Sequence, residues 1–424
     1  MASLLTDPTT APVPALDAGS TAWMLTSSAL VLLMVPGLAL FYGGMVRKHN
    51  VLSTMAHSFG AMAVIGVQWI VVGYCLSFGK SIGGLIGWDS RYLALHGLPY
   101  TQDFGDKGIP ELVFVMFQGK FAIITPALIS GALAERVKFS GFLVFTLLWS
   151  TLVYCPLAHW TWAEGGWLFK LGVLDFAGGT VVHVSSGVSA LVLAIVLGKR
   201  RDYKPGHAPL LPHNLPLTLL GAGLLWFGWF GFNAGSAVAV EVPVSGHVAG
   251  LAFATTQTAA ASAALTWMLL EWKLLAKPTG LGIATGCIAG LVAITPAAGH
   301  VTPLWALVIG SITAVVCFRA VQLKSRFRYD DALDAFGVHG VGGAVGAILT
   351  GVFCFMPSRG LIFGSGLQLA KQFAGVGAAA VFAGIGTFVL AKLVDRTMGL
   401  RVTEEQEGDG LDISLHGERA YHFN

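Results

Sequence analysis

Apolar runs long enough to cross about 30 Å of hydrocarbon, roughly 20 residues each, recur eleven times along these 424 residues, separated by short polar joints. They cover 21–46, 51–79, 112–134, 140–160, 178–198, 214–234, 247–270, 280–297, 301–318, 337–357 and 370–396, hereafter spans 1 to 11. Lipid offers no partner for an exposed peptide group, so segments of this length must be helices. The expected fold is an all-α polytopic membrane protein of eleven transmembrane helices, with a membrane domain at 1–398 and a tail at 399–424. Composition agrees, because 55% hydrophobic and 11% charged residues do not fit a water-facing surface. Glycine occupies 55 positions, well above its ordinary share of about 7%, so helix backbones should approach one another closely. A net charge of +3, with scattered basic residues, argues against a nucleic-acid surface. The five cysteines are far apart and set in apolar stretches, so neither a disulfide framework nor a metal site is indicated. No cofactor is implied.

An odd number of spans puts the termini on opposite sides, and Lys and Arg decide which is which. With residue 1 outside, eighteen of the 25 basic residues fall on inner joints and the tail, six fall outside, and Lys120 lies within a span. The expectation is a plasma-membrane protein with its N-terminus outside and its C-terminus in the cytoplasm. Residues 1–20 contain no Lys or Arg and three prolines, so they lack the positive start of a secretory signal.

Spans 5 and 10 begin alike, Asp175-Phe-Ala-Gly-Gly-Thr-Val-Val-His183 and Asp334-Ala-Phe-Gly-Val-His339. Gly187 and Gly343 each follow their histidine by four residues, on the same helical face, where a second helix could sit close. Five spans separate the two segments, so they run in opposite directions, as an inverted repeat of spans 1–5 and 6–10 requires. Span 11 lies outside that repeat. Carboxylates are nearly absent from span centres, since Glu135, Asp175, Glu271 and Asp334 fall near span ends, whereas His57, His183 and His339 lie within spans. Ionisable groups inside a membrane are functional candidates by default. This distribution disfavours a carboxylate-driven symporter and favours a path for a small solute that crosses largely uncharged. His57 reads as a hydrogen-bonded packing histidine, and His183 with His339 as a functional pair.

Aromatic residues gather near the outer ends of three spans. Gln118, Phe121 and Thr125 share a face of span 3, Phe232 and Ser236 share a face of span 6, and span 4 closes on His159-Trp160-Thr161-Trp162. Single aromatics at span ends are usually interface anchors. Ring faces together with a hydroxyl also suit a small cation shedding water, for which cation–π attraction contributes about 0.5–2 kcal/mol.

The stretches Phe41-Tyr-Gly-Gly44, Gly131-Ala-Leu-Ala-Glu-Arg136, Asp175 to His183, Gly228-Trp-Phe-Gly-Phe-Asn-Ala-Gly-Ser236, Phe336-Gly-Val-His-Gly340, Gly399-Leu-Arg-Val402 and Gly410-Leu-Asp412 resemble the ammonium transporters. This is the Amt/Mep/Rh group, and the resemblance is to its bacterial Amt branch over almost the whole chain. It implies ammonium recruitment by Trp162, Phe121 and Ser236, and a pore gate of Phe121 and Phe232 below that site. Gln118 and Trp229 become flanking pore groups, and His183 and His339 paired imidazoles in an apolar conduit, orienting ammonia, relaying its proton, or both. Asp175 becomes a support of the site's architecture. It further implies homotrimers with one pore per subunit, embedded in membrane lipid, electrogenic uptake of ammonium as separated ammonia and proton, and a cytoplasmic PII-type regulatory partner.

One position departs from the family pattern, because Lys120 places a cation beside the cation-recruiting Phe121. Adjacent helix residues point about 100° apart, so Lys120 is expected to face away and extend toward the outer headgroups or a neighbouring subunit. The acidic tail between Arg401 and Arg419 is expected to brace against cytoplasmic loops, and it is too short for an output domain. The joint Lys199-Arg-Arg-Asp-Tyr-Lys204 sets topology and offers an anionic-lipid or partner contact. Two other readings compete: an ammonium receptor with little or no flux, and a polytopic membrane enzyme. Against the enzyme stand the lack of an intramembrane carboxylate pair and of the HExxH and GxSxG patterns.

Overall fold

The computed structural model describes residues 16–98, 108–203, 212–239 and 246–421. Lys107, Lys204 and the first fifteen residues therefore lie outside the described residues. Among the described residues ten helices are long and apolar enough to span a membrane: Ala18–Met45, Val51–Phe78, Glu111–Leu133, Phe139–Leu171, Gly179–Leu197, Leu215–Val238, His247–Leu275, Pro303–Phe327, Phe336–Phe353 and Gly366–Met398. The shorter Gly280–Ile294 supplies span 8. Turns continue it to His300, so the eleven-helix architecture holds.

Span 4 runs beyond the expected 140–160. Its helix passes through a π-helical stretch at Ser150–Tyr154, breaks after Trp162 and resumes at Trp167–Leu171. The long joint after span 2 is not bare loop either, because Ser81–Ile82 pairs antiparallel with Ile86–Gly87 and a 3-10 turn follows at Ser90–Leu95.

Glycines set the helix contacts. A Cβ added at Gly221 of span 6 would lie 2.3 Å from the Phe41 backbone nitrogen of span 1. Between spans 5 and 10 the contact is reciprocal. A Cβ at Gly187 would stand 2.1 Å from the Gly340 nitrogen, and one at Gly343 would stand 2.8 Å from both the Gly179 carbonyl and the His183 Cβ. The two histidine-bearing helices therefore pack directly on one another, and spans 1 and 6, 5 and 10 form the equivalent pairs of an inverted repeat.

At the end of the molecule that gathers the basic joints, ion pairs replace apolar packing. Glu135 accepts from Arg47 Nε and from an Arg200 nitrogen, each at 3.1 Å, and Arg200 also grips both oxygens of Asp330. Arg136, fully buried, donates to the carbonyls of Gly198 and Asp330. Burying such charges is favourable only when each is paired and hydrogen-bonded, and here four joints share one network. The tail joins it: Arg401 donates to the carbonyls of Leu197 and Lys199 and pairs with Glu407 at 2.9 Å. Two short helices, Glu404–Asp409 and Leu411–His416, then carry Asp412 to the start of span 2, where it accepts the Ser53 N–H at 2.8 Å. Asn50, the N-cap position of that helix, makes no side-chain cap bond and instead accepts the Leu411 N–H.

Candidate functional site

Spans 5 and 10 open in the same manner, and that opening positions the two histidines. Asp175 caps span 5 by accepting the N–H groups of Gly178, Gly179, Thr180 and Val181 and the Thr180 hydroxyl. The turn into the helix needs φ +113° at Gly178, a value that glycine alone adopts freely. Burial pushes the Asp175 carboxyl up, and these donors pull against it. A carboxylate saturated by five donors has no direction left for a cation, so Asp175 acts as a helix cap.

The equivalent cap of span 10 is Asp331, not the Asp334 that sequence similarity pairs with Asp175. Asp331 accepts from the Ala335 and Phe336 N–H groups and stands eight residues before His339, as Asp175 stands eight before His183. Asp334 is bound instead to Lys324. Both helices begin with π-helical stretches, Gly179–Val184 and Phe336–Gly340, a local widening often met at functional positions.

His183 and His339 meet at the crossing of these helices. Their Nδ1 atoms are 3.3 Å apart and their rings nearly parallel, with centroids 5.3 Å apart and an angle of 24°. One Nδ1 must donate and the other accept, so the contact needs at least one ring in its neutral Nδ1-acceptor form. His183 Nε2 has no partner among the described residues. Trp229 stacks on His183 at 5.4 Å and is fixed by donating to Thr295 Oγ1 at 2.9 Å. The sequence reading did not single out Thr295, since one threonine in an apolar span carries no signal.

A cavity of about 10 Å³ touches both histidines and is otherwise lined by apolar side chains, among them Leu38, Leu128, Leu225 and Ile288. That is the room a single water-sized molecule requires. Phe232 closes one end of it, stacked on Phe121 with centroids 4.1 Å apart at 22°. Beyond the pair opens a vestibule of about 850 Å³ that includes Phe121, Gln118, Trp162, Ser236 and Asp175 in its walls. Trp162 stands edge-on to Phe121 at 5.9 Å and donates its indole N–H to the Asp175 carbonyl.

The oxygen atoms here are acceptors. Ser236 spends its proton on the Phe232 carbonyl at 2.8 Å, leaving its lone pairs, and Gln118 Oε1 and Thr161 Oγ1 are buried without partners among the described residues. The vestibule also contains the carboxylates Asp89, Glu111 and Glu164 and the cations Lys80 and Arg91, with Asp89 paired to Arg91 at 2.7 Å; sequence reasoning did not assign them to it because they lie on separate elements. His57 lies elsewhere, edge-on to Phe142 at 4.7 Å. Neither of its ring nitrogens has a partner among the described residues, so it packs without the expected hydrogen bond. Lys120 is not part of the vestibule wall. Among the described residues no cluster of His, Cys, Asp and Glu could hold a metal.

The model of the Ammonium Transporter Family matches residues 22–421. An ammonium transporter of Bacillus subtilis is 52% identical over 95% of this chain and 98% of its own. Among solved structures, Mep2 of Saccharomyces cerevisiae superposes with a TM-score of 0.84 at 37% identity, covering 92% of this chain and 88% of its own. A protein described as a sensor Amt protein superposes with a TM-score of 0.85 at 32% identity, covering 94% and 98%.

Proposed function

Because the chain belongs to the ammonium transporter family, we propose that it recruits ammonium in the aromatic vestibule, strips one proton and conducts ammonia between the paired histidines. The observation that carries this reading is the 3.3 Å imidazole pair on a cavity one small molecule wide, directly beneath stacked rings. Trp162 and Phe121 offer ring faces to the cation, and Ser236 and Gln118 offer oxygen acceptors for its four N–H groups. Asp89 is neutralised by Arg91, so Glu111 and Glu164 are the carboxylates that draw the cation in, against the opposing charge of Lys80.

Beyond Phe121 and Phe232 the surroundings are apolar, and a bare cation there meets a large desolvation cost. Ammonium escapes that cost by releasing a proton, whereas sodium and potassium cannot. Its neutral product fits the cavity and can accept from, or donate to, the free imidazole edge. Charging one ring disfavours charging its neighbour, so the pair orients ammonia and passes on at most one proton at a time. Ammonia and proton cross by separate steps, and net transfer is electrogenic. Asp175 holds the helix that carries His183, and Trp229 holds the ring itself.

The protein works as a homotrimer in the plasma membrane, with one pore per subunit, its N-terminus outside and residues 399–424 in the cytoplasm. There the docked tail and the basic joints meet a PII-type regulatory protein. Current recorded from proteoliposomes on a solid-supported membrane tests transport. Ammonium pulses should give a current that sodium, potassium and choline pulses do not. Silence from well-folded protein would assign the chain to a sensing role, a reading that the likeness to the sensor Amt protein favours.

A further inference from the structure

Span 11 stands outside the inverted repeat, yet it carries two buried amides, Gln368 and Gln372, one turn apart in an otherwise largely apolar helix. A buried amide is costly unless its donors and its oxygen find partners, and Gln372 uses every one of them. Its oxygen accepts the Leu174 N–H at 2.8 Å and the Gln368 amide at 3.1 Å, while its nitrogen donates to the Leu174 carbonyl at 2.7 Å and the Ala347 carbonyl at 3.0 Å. Gln368 in turn donates to the Gly172 carbonyl at 3.0 Å and accepts from the Ser358 hydroxyl. Glycines admit this close approach. A Cβ at Gly351 of span 10 would lie 2.9 Å from Gln372 Cγ, and one at Gly375 of span 11 would lie 2.7 Å from a Val173 methyl.

Leu174 belongs to irregular backbone between Trp167–Leu171 and span 5. Such backbone among membrane helices persists only where protein supplies partners for its peptide groups, and Gln372 serves both groups of Leu174 as a neighbouring strand would. The next residue has two tasks: the Asp175 carboxyl caps span 5, and its carbonyl takes the Trp162 indole N–H at 2.9 Å. Leu174, Asp175 and Trp162 all line the vestibule. The same amide reaches Ala347 of span 10, so one side chain ties the two halves of the repeat together beside the vestibule wall. We propose that Gln372 is a positioning residue of the recruitment site, holding the backbone at 174–175 and, through the Asp175 carbonyl, the plane of the Trp162 ring. This rests on the reading that Trp162 takes part in ammonium recruitment.

The test uses full-length protein carrying 5-fluorotryptophan, in detergent, read by fluorine NMR. The resonance missing from Trp162→Phe belongs to Trp162, and the one missing from Trp229→Phe belongs to Trp229, which Thr295 holds independently. Gln372→Met keeps the side-chain length but none of the four bonds, and should shift or broaden the Trp162 resonance while that of Trp229 stays in place. Gln372→Glu, which keeps an oxygen for the Leu174 N–H, should return it part of the way. Ammonium titrated against the Trp162 resonance should give a half-saturating concentration about fivefold higher in Gln372→Met than in the wild type, a response that needs no flux. If Gln372→Met does not fold, Gln368→Met removes one of the four bonds, spares Leu174 and should move the same resonance by less. A Trp162 resonance unmoved in the folded variant, moved only together with that of Trp229, or moved without a change in the ammonium response would overturn the proposal. A wild-type Trp162 resonance indifferent to ammonium would instead sink the recruitment reading, while its shift in Gln372→Met would still decide whether the glutamine positions the ring.

Discussion

Lys120 and Phe121 are neighbours in sequence, yet only Phe121 reaches the vestibule. A helix turns each residue about 100° from the last, so the two side chains leave the helix in different directions, and under the proposed function Lys120 stays off the cation's approach. Charges separated by water are strongly screened, and Lys120→Ser is therefore expected to change the apparent ammonium affinity by no more than about twofold. The concentration dependence of the ammonium current measures this. His183 and His339 were legible in the sequence because an ionisable side chain in a long apolar run has few reasons to be there. Asp331 was not. Similarity anchored on the nearest aspartate selected Asp334, whereas counting eight residues back from each histidine finds both caps. Ser236, Gln118 and Trp162 were legible through a resemblance rather than through spacing, since helical periodicity places residues on a face but says nothing of which faces meet.

Spans 5 and 10 are short helices locked by glycine, and that lock can be broken selectively. A methyl group at Gly187 would meet backbone, which cannot rotate away. Gly187→Ala is thus expected to cost at least the 1–3 kcal/mol typical of overpacking, about the same as losing a cap. Gly223→Ala, with nothing within 4 Å of its added Cβ, should be neutral, and thermal unfolding of the two purified variants compares them. Glycine abundance announced close helices, and the shared offset from each histidine named the pair. The π-helical stretches gave no sequence signal, because they follow from how a helix accommodates its neighbours rather than from its own residues.

The second cap also carries a pH dependence. Burial, and next the Asp334 charge, push the Asp331 carboxyl up from 3.8 to about 6. The folded protein then holds a proton that the unfolded chain releases, so this contribution is complete below about pH 4 and is lost as pH rises through the raised folded value. Asp331→Asn should flatten the fall in stability between pH 4 and 6, as read from the slope of unfolding temperature against pH rather than from its absolute value.

At the scale of the whole molecule, charge and hydrocarbon are sorted to different ends. The eleven spans were legible because hydropathy acts over twenty residues at a time. The wiring of joints to tail was not, because Arg200, Glu135 and Asp330 come from distant parts of the chain. Asp412 supplies the cap that Asn50 would otherwise give to span 2. Its replacement by Ala should cost about 0.5–2 kcal/mol of tail docking and leave the membrane helices folded. Limited trypsin digestion should therefore cut Asp412→Ala faster at Arg401 or Arg419 than the wild type, while the remaining fragment stays intact.

The reciprocal seating of Gly187 on Gly340 and of Gly343 on Gly179 has a mechanical outcome. Two half-molecules whose backbones interdigitate beside the histidines have no free plane on which to rock, so under the proposed function the path between them opens without a shift of the two halves. Passage then rests on small swings of ring side chains, and turnover should be limited by how fast a solute is dehydrated and deprotonated rather than by any large movement of the scaffold.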